Sequence, residues 1–147
     1  MNNEPSSVVT IEQFVTALIQ NSPNTPSTDN YLQYGYDSGW LEDMDITGKD
    51  EALLRKNAAR IIHEFMRIEL QESDLADVSC ASKLRDLYDC RVCARHIMQV
   101  YAKGIMEGFY ASDTLYLFGL KEAITTVEAS AIISRVFHTN QRFSNQY

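Results

Sequence analysis

The chain has few of the residues that interrupt regular structure: 147 residues contain three prolines and six glycines, so long regular elements are possible. It also lacks any apolar run near the roughly 18 residues of a membrane span, and membrane insertion is not expected. A dense Lys/Arg run is missing as well. The nearest is Arg55, Lys56 and Arg60, flanked by Asp50, Glu51 and Glu64, which reads as a solvated helix face. With 20 acidic and 13 basic residues the formal charge is −7, a balance that repels duplex nucleic acid and excludes it as an expected partner. Met1 to Pro5 has neither the basic start nor the apolar run of a secretory signal. Localisation therefore stays open: the envelope if a leader has been removed, otherwise the cytoplasm. Three cysteines leave at least one thiol unpaired in any monomer, which leans towards a reducing compartment.

Several catalytic signatures are absent. His63-Glu64 begins like a zinc-protease motif, but the residue four after His63 is Arg67. There is no glycine-rich phosphate loop and no serine in a nucleophile elbow. Asp43, Asp45 and Asp50 surround Gly48 without the spacing or closing glutamate of an EF-hand, and read as a solvated acidic loop. Cys90-Arg91-Val92-Cys93 is the sharpest chemical pattern, with Cys80 upstream and His96 three residues on. A metal could bridge residues 90, 93 and 96 along one helix side, and a redox pair would want a helix N-terminus after a strand. Buried structural thiols are the favoured reading. No enzyme activity, cofactor or metal is expected.

Apolar residues recur at three- and four-residue spacing and seldom alternate, so the expectation is an all-α fold. Met1 to Ser7 should be loose. Thr10-Ile11-Glu12-Gln13 reads as a capping box that opens a helix, ended by the breakers Asn21 to Ser27. A second helix is expected over 29–38, stopping at Gly39, and the strongest over 50–70, where Leu54, Ala58, Ile61, Ile62, Phe65 and Ile68 share a stripe. A fourth, over 89–103, stops at Gly104. The last opens at Thr125 with Glu128 three residues on, a second capping box, and runs to Phe137. The run Leu115 to Phe118 is short and extended but is not expected to build a sheet. The tail from His138 should fray. Tyr36 reads as core and Trp40 as a partly exposed ring.

An internal repeat organises these helices. Tyr36-Asp37-Ser38-Gly39-Trp40-Leu41 aligns with Tyr101-Ala102-Lys103-Gly104-Ile105-Met106, and each glycine suits a left-handed helix stop. The segments starting at Thr10, Leu54 and Thr125 also align, with Leu18, Ile62 and Ile133 at one core position. Leu75-Ala76-Asp77-Val78, Gly104-Ile105-Met106-Glu107-Gly108-Phe109, Phe118-Gly119-Leu120 and Ile124-Thr125-Thr126-Val127-Glu128 then follow in order. In that order they resemble the repeat of the S-layer homology (SLH) family of bacterial cell envelopes.

The resemblance implies one domain over 1–147, with a half repeat at 8–22 and full repeats at 28–70 and 75–137. It implies a pseudo-threefold arrangement of helical hairpins around a central bundle. In that family, grooves between repeats bind secondary cell-wall polysaccharide, often through the arginine of a Thr-Arg-Ala-Glu motif. That position holds Ile11, Arg55 and Thr126 here, so Arg55 is the expected cation. Trp40 is a possible stacking platform, and Thr125 and Glu128 complete the candidate ligand-binding set. An arginine at a helix start suits a carboxylate on a sugar. The expected function is non-catalytic attachment to anionic wall polysaccharide. The alternative is an intracellular interaction or scaffold domain that has lost the glycan site and binds another protein. A homo-oligomer is compatible with either.

Overall fold

A computed structural model describes residues 7–144; the opening Met1 to Ser6 and the final residues 145–147 lie outside the described residues. Among the described residues six α-helices follow in order: α1 (Ile11–Gln20), α2 (Tyr31–Ser38), α3 (Asp43–Thr47), α4 (Arg55–Ile68), α5 (Arg91–Ala102) and α6 (Thr126–Phe137). Strands β1 (Phe109–Ser112) and β2 (Leu115–Leu117) form a hairpin between α5 and α6, and short 3-10 turns fill Ser79–Lys83, Leu87–Asp89 and Thr139–Gln141.

The all-α expectation is corrected by that hairpin: the described residues are 52% helical, 3-10 turns included, and carry a two-stranded antiparallel sheet. Tyr110 pairs with Tyr116 across it, with the rings 4.8 Å apart, and the register shifts between Tyr110 and Ser112. Cross-strand aromatic pairing of this kind stabilises a hairpin too short to announce itself by alternation.

Helix starts follow their caps. Thr10 accepts from the Gln13 amide at 3.1 Å, and the Gln13 side chain accepts from the Thr10 amide at 2.9 Å, closing a full capping box. Thr125 accepts from the Glu128 amide at 3.2 Å, but the Glu128 carboxylate turns elsewhere, so the second box is half made. Helix stops repeat as well. Gly39 (φ 98°) and Gly104 (φ 75°) both sit in the left-handed region. After them, the amides of Trp40 and Leu41 donate to Gly35 O, and those of Ile105 and Met106 donate to Val100 O. A left-handed residue reverses the chain there at little cost only for glycine. Alanine at 104 would meet a further obstacle, because its Cβ would lie 1.9 Å from Phe143 O.

The segments that enter α1, α4 and α6 meet at one junction and exchange backbone hydrogen bonds in a cycle. The Val9 amide donates to Ile124 O, the Ile124 amide to Leu53 O, and the Leu53 amide to Val9 O, each at 2.9 Å. Two residues on, the cycle repeats in the opposite sense: Ile11 donates to Glu51 O, Arg55 to Glu122 O and Thr126 to Ser7 O. Buried backbone groups must find partners, and here three short extended segments satisfy one another without forming a sheet. Behind the junction the core is continuous, with Phe14, Leu18, Leu53, Ile61, Ile62, Phe65, Ile97, Tyr101, Phe118 and Ile133 buried.

Contrary to the expected fraying from His138, the described part of the tail, 138–144, is held in place. Arg142 donates to both oxygens of Glu72 and to Arg135 O and Val136 O, and the Phe143 amide donates to Gly104 O at 2.9 Å. A guanidinium with a paired carboxylate holds a terminal segment that composition alone would leave solvated.

Candidate functional site

The cyclic closure creates three junctions between neighbouring helices, and the residue at the first helical position governs each. Ile11 sits at the α1/α4 junction, Arg55 at the α4/α6 junction and Thr126 at the α6/α1 junction, as their backbone bonds to the next segment record. These three positions align with one another in the internal repeat, and the structure gives them different fates.

Arg55 is 7% exposed and fills its own junction. Its Nε donates to Phe118 O at 2.8 Å, its Nη2 donates to Glu107 O, and its Nη1 pairs with Glu128. The guanidinium also lies 4.7 Å from the Phe118 ring centroid. Burial pulls the Arg55 pKa below the ordinary arginine value, while Glu128 and Glu107 pull it back. Arg55 is thus a buried cation already occupied by protein groups, a correction to its expected role as a free ligand-binding charge. Glu128 is its counter-ion, and Thr125 is the N-cap of α6. The three residues come together, but as a structural seam.

Trp40 is corrected too. It is 1% exposed, packs edge-on against Phe65 at 5.0 Å, and donates through Nε1 to Glu69 at 3.1 Å. A ring enclosed in this way offers no face to a sugar. Tyr36, expected in the core, is instead 42% exposed, whereas Tyr101 at the aligned position is buried. The repeat preserves the helix stop but not the packing one turn earlier.

The charged segment around 43–60 is less solvated than its composition implies. Asp45 is fully buried within α3 and receives both ends of the Arg60 guanidinium at 2.7 and 2.8 Å. Two-point pairing of this kind allows both charges to leave water. The solvated-loop and solvated-face readings are therefore corrected for Asp45, Arg55 and Arg60.

Cys90 and Cys93 form a disulfide, replacing the expected pair of thiols, and Cys80 is free. Cys90 is the N-cap of α5 and Cys93 lies in its first turn, without a strand before it. His96 faces α4 and not the cysteines, so the Cys80/Cys90/Cys93/His96 grouping is not assembled.

The open junction is the one governed by Thr126. A groove of about 660 Å³ runs between α1 and α6. Phe14, Ala17, Ala129, Ile133 and Phe137 supply its apolar lining, and Ser7, Thr10, Gln13, Asn21, Ser130 and Ser134 its hydroxyls and amides. Among the described residues no Lys, Arg, Asp or Glu lines it, and His138 is its one titratable side chain. By contrast the junction governed by Ile11 holds a cleft of about 380 Å³ with Asp45, Glu51 and Lys56 on its walls. The groove residues were missed from sequence because none is chemically distinctive; the available signal was Thr126 itself, a small residue where the aligned position is filled by Arg55.

No family model, curated protein or solved structure matches the chain. The site is therefore read from its own chemistry.

Proposed function

We propose that this protein is a non-catalytic binding module, similar in plan to S-layer homology modules, whose ligand lies in the groove between α1 and α6. The observation that carries this reading is the junction chemistry: of three related helix junctions, the one with Thr126 in the arginine position is roomy and, among the described residues, lined by no Lys, Arg, Asp or Glu. Hydroxyls and amides above an apolar floor suit a ligand that presents both hydroxyl groups and C–H faces, and a cell-wall polysaccharide segment has that character. The groove favours an uncharged stretch of such a polymer, since the one arginine in register is sealed in the neighbouring junction. Small-molecule and oligomer sites of this volume are commonly concave, mostly apolar and marked by a few polar groups.

Binding to purified cell walls, measured by co-sedimentation, tests the proposal. Ser130 is exposed on the groove wall, so Ser130→Trp fills the groove without disturbing the core. Wild type should be retained and Ser130→Trp lost. Retention of both alike, or of neither, removes the glycan reading. An interaction domain would use the same groove for an apolar helix or peptide, favoured by Phe14, Ile133 and Phe137 on its floor. That alternative gains ground if wall retention is nil while Ser130→Trp abolishes capture of a peptide ligand.

A further inference from the structure

Helices α4 and α5 pack side by side, and their facing surfaces bring two histidines together. His63 Nδ1 lies 2.8 Å from His96 Nδ1, and both residues are buried, at 2% and 3% exposure. Glu64, the next residue along α4, places Oε1 3.9 Å from His96 Nδ1. One ligand atom from each of His63, Glu64 and His96 falls within 4.8 Å of the others. On the far side of the first ring, His63 Nε2 lies 2.7 Å from Asp74 Oδ1. A carboxylate accepts only, so a neutral His63 donates from Nε2 and presents the Nδ1 lone pair towards His96 and Glu64. This is the carboxylate–histidine arrangement that orients a metal-binding imidazole.

We propose that His63 Nδ1, His96 Nδ1 and the Glu64 carboxylate form a three-ligand site for a divalent transition-metal ion of the zinc class, with Asp74 as its positioning residue. Two imidazoles and one carboxylate match the donor preferences of zinc and its neighbours, and fit calcium or magnesium poorly because those ions require oxygen ligands. Nitrogens bound to one tetrahedral zinc at about 2.0–2.1 Å lie about 3.3 Å apart. The two rings therefore need to part by about half an ångström, and the Glu64 carboxylate to swing inward. Coordination needs both Nδ1 atoms bare, so His63 carries its proton on Nε2, towards Asp74, and His96 carries its own on Nε2. An approach exists, because a cleft of about 270 Å³ bounded by Trp40, Arg60, Arg67 and Arg95 reaches Glu64 and His96. It supplies an entry path and room for a water as fourth ligand.

The surrounding arginines oppose a cation but are not fixed in its way. Arg67 and Arg95 hold Glu64 at 2.6 and 3.5 Å from side chains that are 51% and 68% exposed, so both can turn to solvent. Arg60 is committed to Asp45.

Full-length protein with its disulfide intact, stripped with a chelator, is titrated with Zn²⁺ in competition with a chromophoric chelator. One equivalent should bind, His63→Gln and His96→Gln should each weaken it by about 100-fold, and Asp74→Asn by about 10- to 100-fold. Cys80→Ser should change nothing. Binding below about a tenth of an equivalent, histidine variants within about threefold of wild type, or loss on Cys80→Ser overturns the site. Since a histidine variant can fail to fold, the imidazole resonances of the wild-type protein give an independent readout. Zinc must shift His63 and His96; a shift confined to His138, the third histidine of the chain, also overturns it.

Discussion

Replacing Arg55 by methionine separates a structural seam from a ligand-binding charge. Methionine keeps the apolar stem beside Phe118 but removes the guanidinium that serves Phe118 O, Glu107 O and Glu128. Breaking a buried ion pair by deleting one partner costs about 3–5 kcal/mol. The Glu128 side chain is 33% exposed and can recover water, which reduces its share. The two carbonyls lose a charged donor, a loss of about 1–3 kcal/mol for each that stays buried. A net destabilisation of about 2–4 kcal/mol follows, equivalent to a Tm lower by about 6–12 °C for a chain of this size. Glu128→Gln keeps an acceptor beside the guanidinium and should cost about 1 kcal/mol. The double variant should be less destabilised than the sum of the two, by about 1 kcal/mol, because both remove the same contact. Urea unfolding of the four proteins gives these values directly. An Arg55→Met protein within about 0.5 kcal/mol of wild type would refute the seam. So would a variant of full stability that has lost wall retention, since Arg55 would then be acting on ligand.

Two further outcomes follow from charge and sulfur placement. The Arg142 and Lys103 side chains hold the Glu72 carboxyl below the usual carboxylate range, against the opposing effect of burial. A depressed folded-state pKa contributes stability that is present above the unfolded value and lost as pH falls through the folded one. Stability should therefore decline below about pH 4.5, and Glu72→Gln should flatten that decline in thermal melts taken from pH 6 to pH 3; an unchanged slope would show that the tail clasp contributes nothing. Alkylation followed by intact mass should add one group to the unreduced protein, at Cys80, and three after reduction. Burial pushes the Cys80 thiol up, so its reaction should be slow near neutral pH. Three additions without reductant would mean that Cys90 and Cys93 are thiols.

What local sequence carries, the structure uses: Thr10 and Thr125 cap their helices, and Gly39 and Gly104 stop theirs in left-handed backbone. Such signals need only neighbours three or four residues away. The features that went astray depend on partners far along the chain. Arg60 reads as solvated until Asp45 is known to meet it, and Arg55 reads as free until Phe118 and Glu128 arrive from more than sixty residues away. Trp40 has the composition of a sugar platform, but Phe65 and Glu69 enclose it. The β1–β2 hairpin hides because its strands are four and three residues long, too few to display a period. The groove was illegible for a different reason: space left by a small residue has no letter of its own.

One substitution pattern links the caps to the groove. The third helical position holds Gln13 in α1, Asn57 in α4 and Glu128 in α6, and the first holds Ile11, Arg55 and Thr126. Arg55 reaches across its junction to Glu128, and that pull is why Glu128 does not return to the Thr125 amide and the second capping box stays half made. Across the next junction Thr126 is too short to span the gap; its hydroxyl instead donates to Ser7 O at 3.0 Å. Gln13 folds back to complete the box at Thr10. The closed box and the groove thus accompany one difference, a short hydroxyl where the equivalent point of the cycle holds a long cation. Single residues at the helix entrances thus decide which junction is filled and which is left as a groove, while the backbone closure that positions those entrances stays the same.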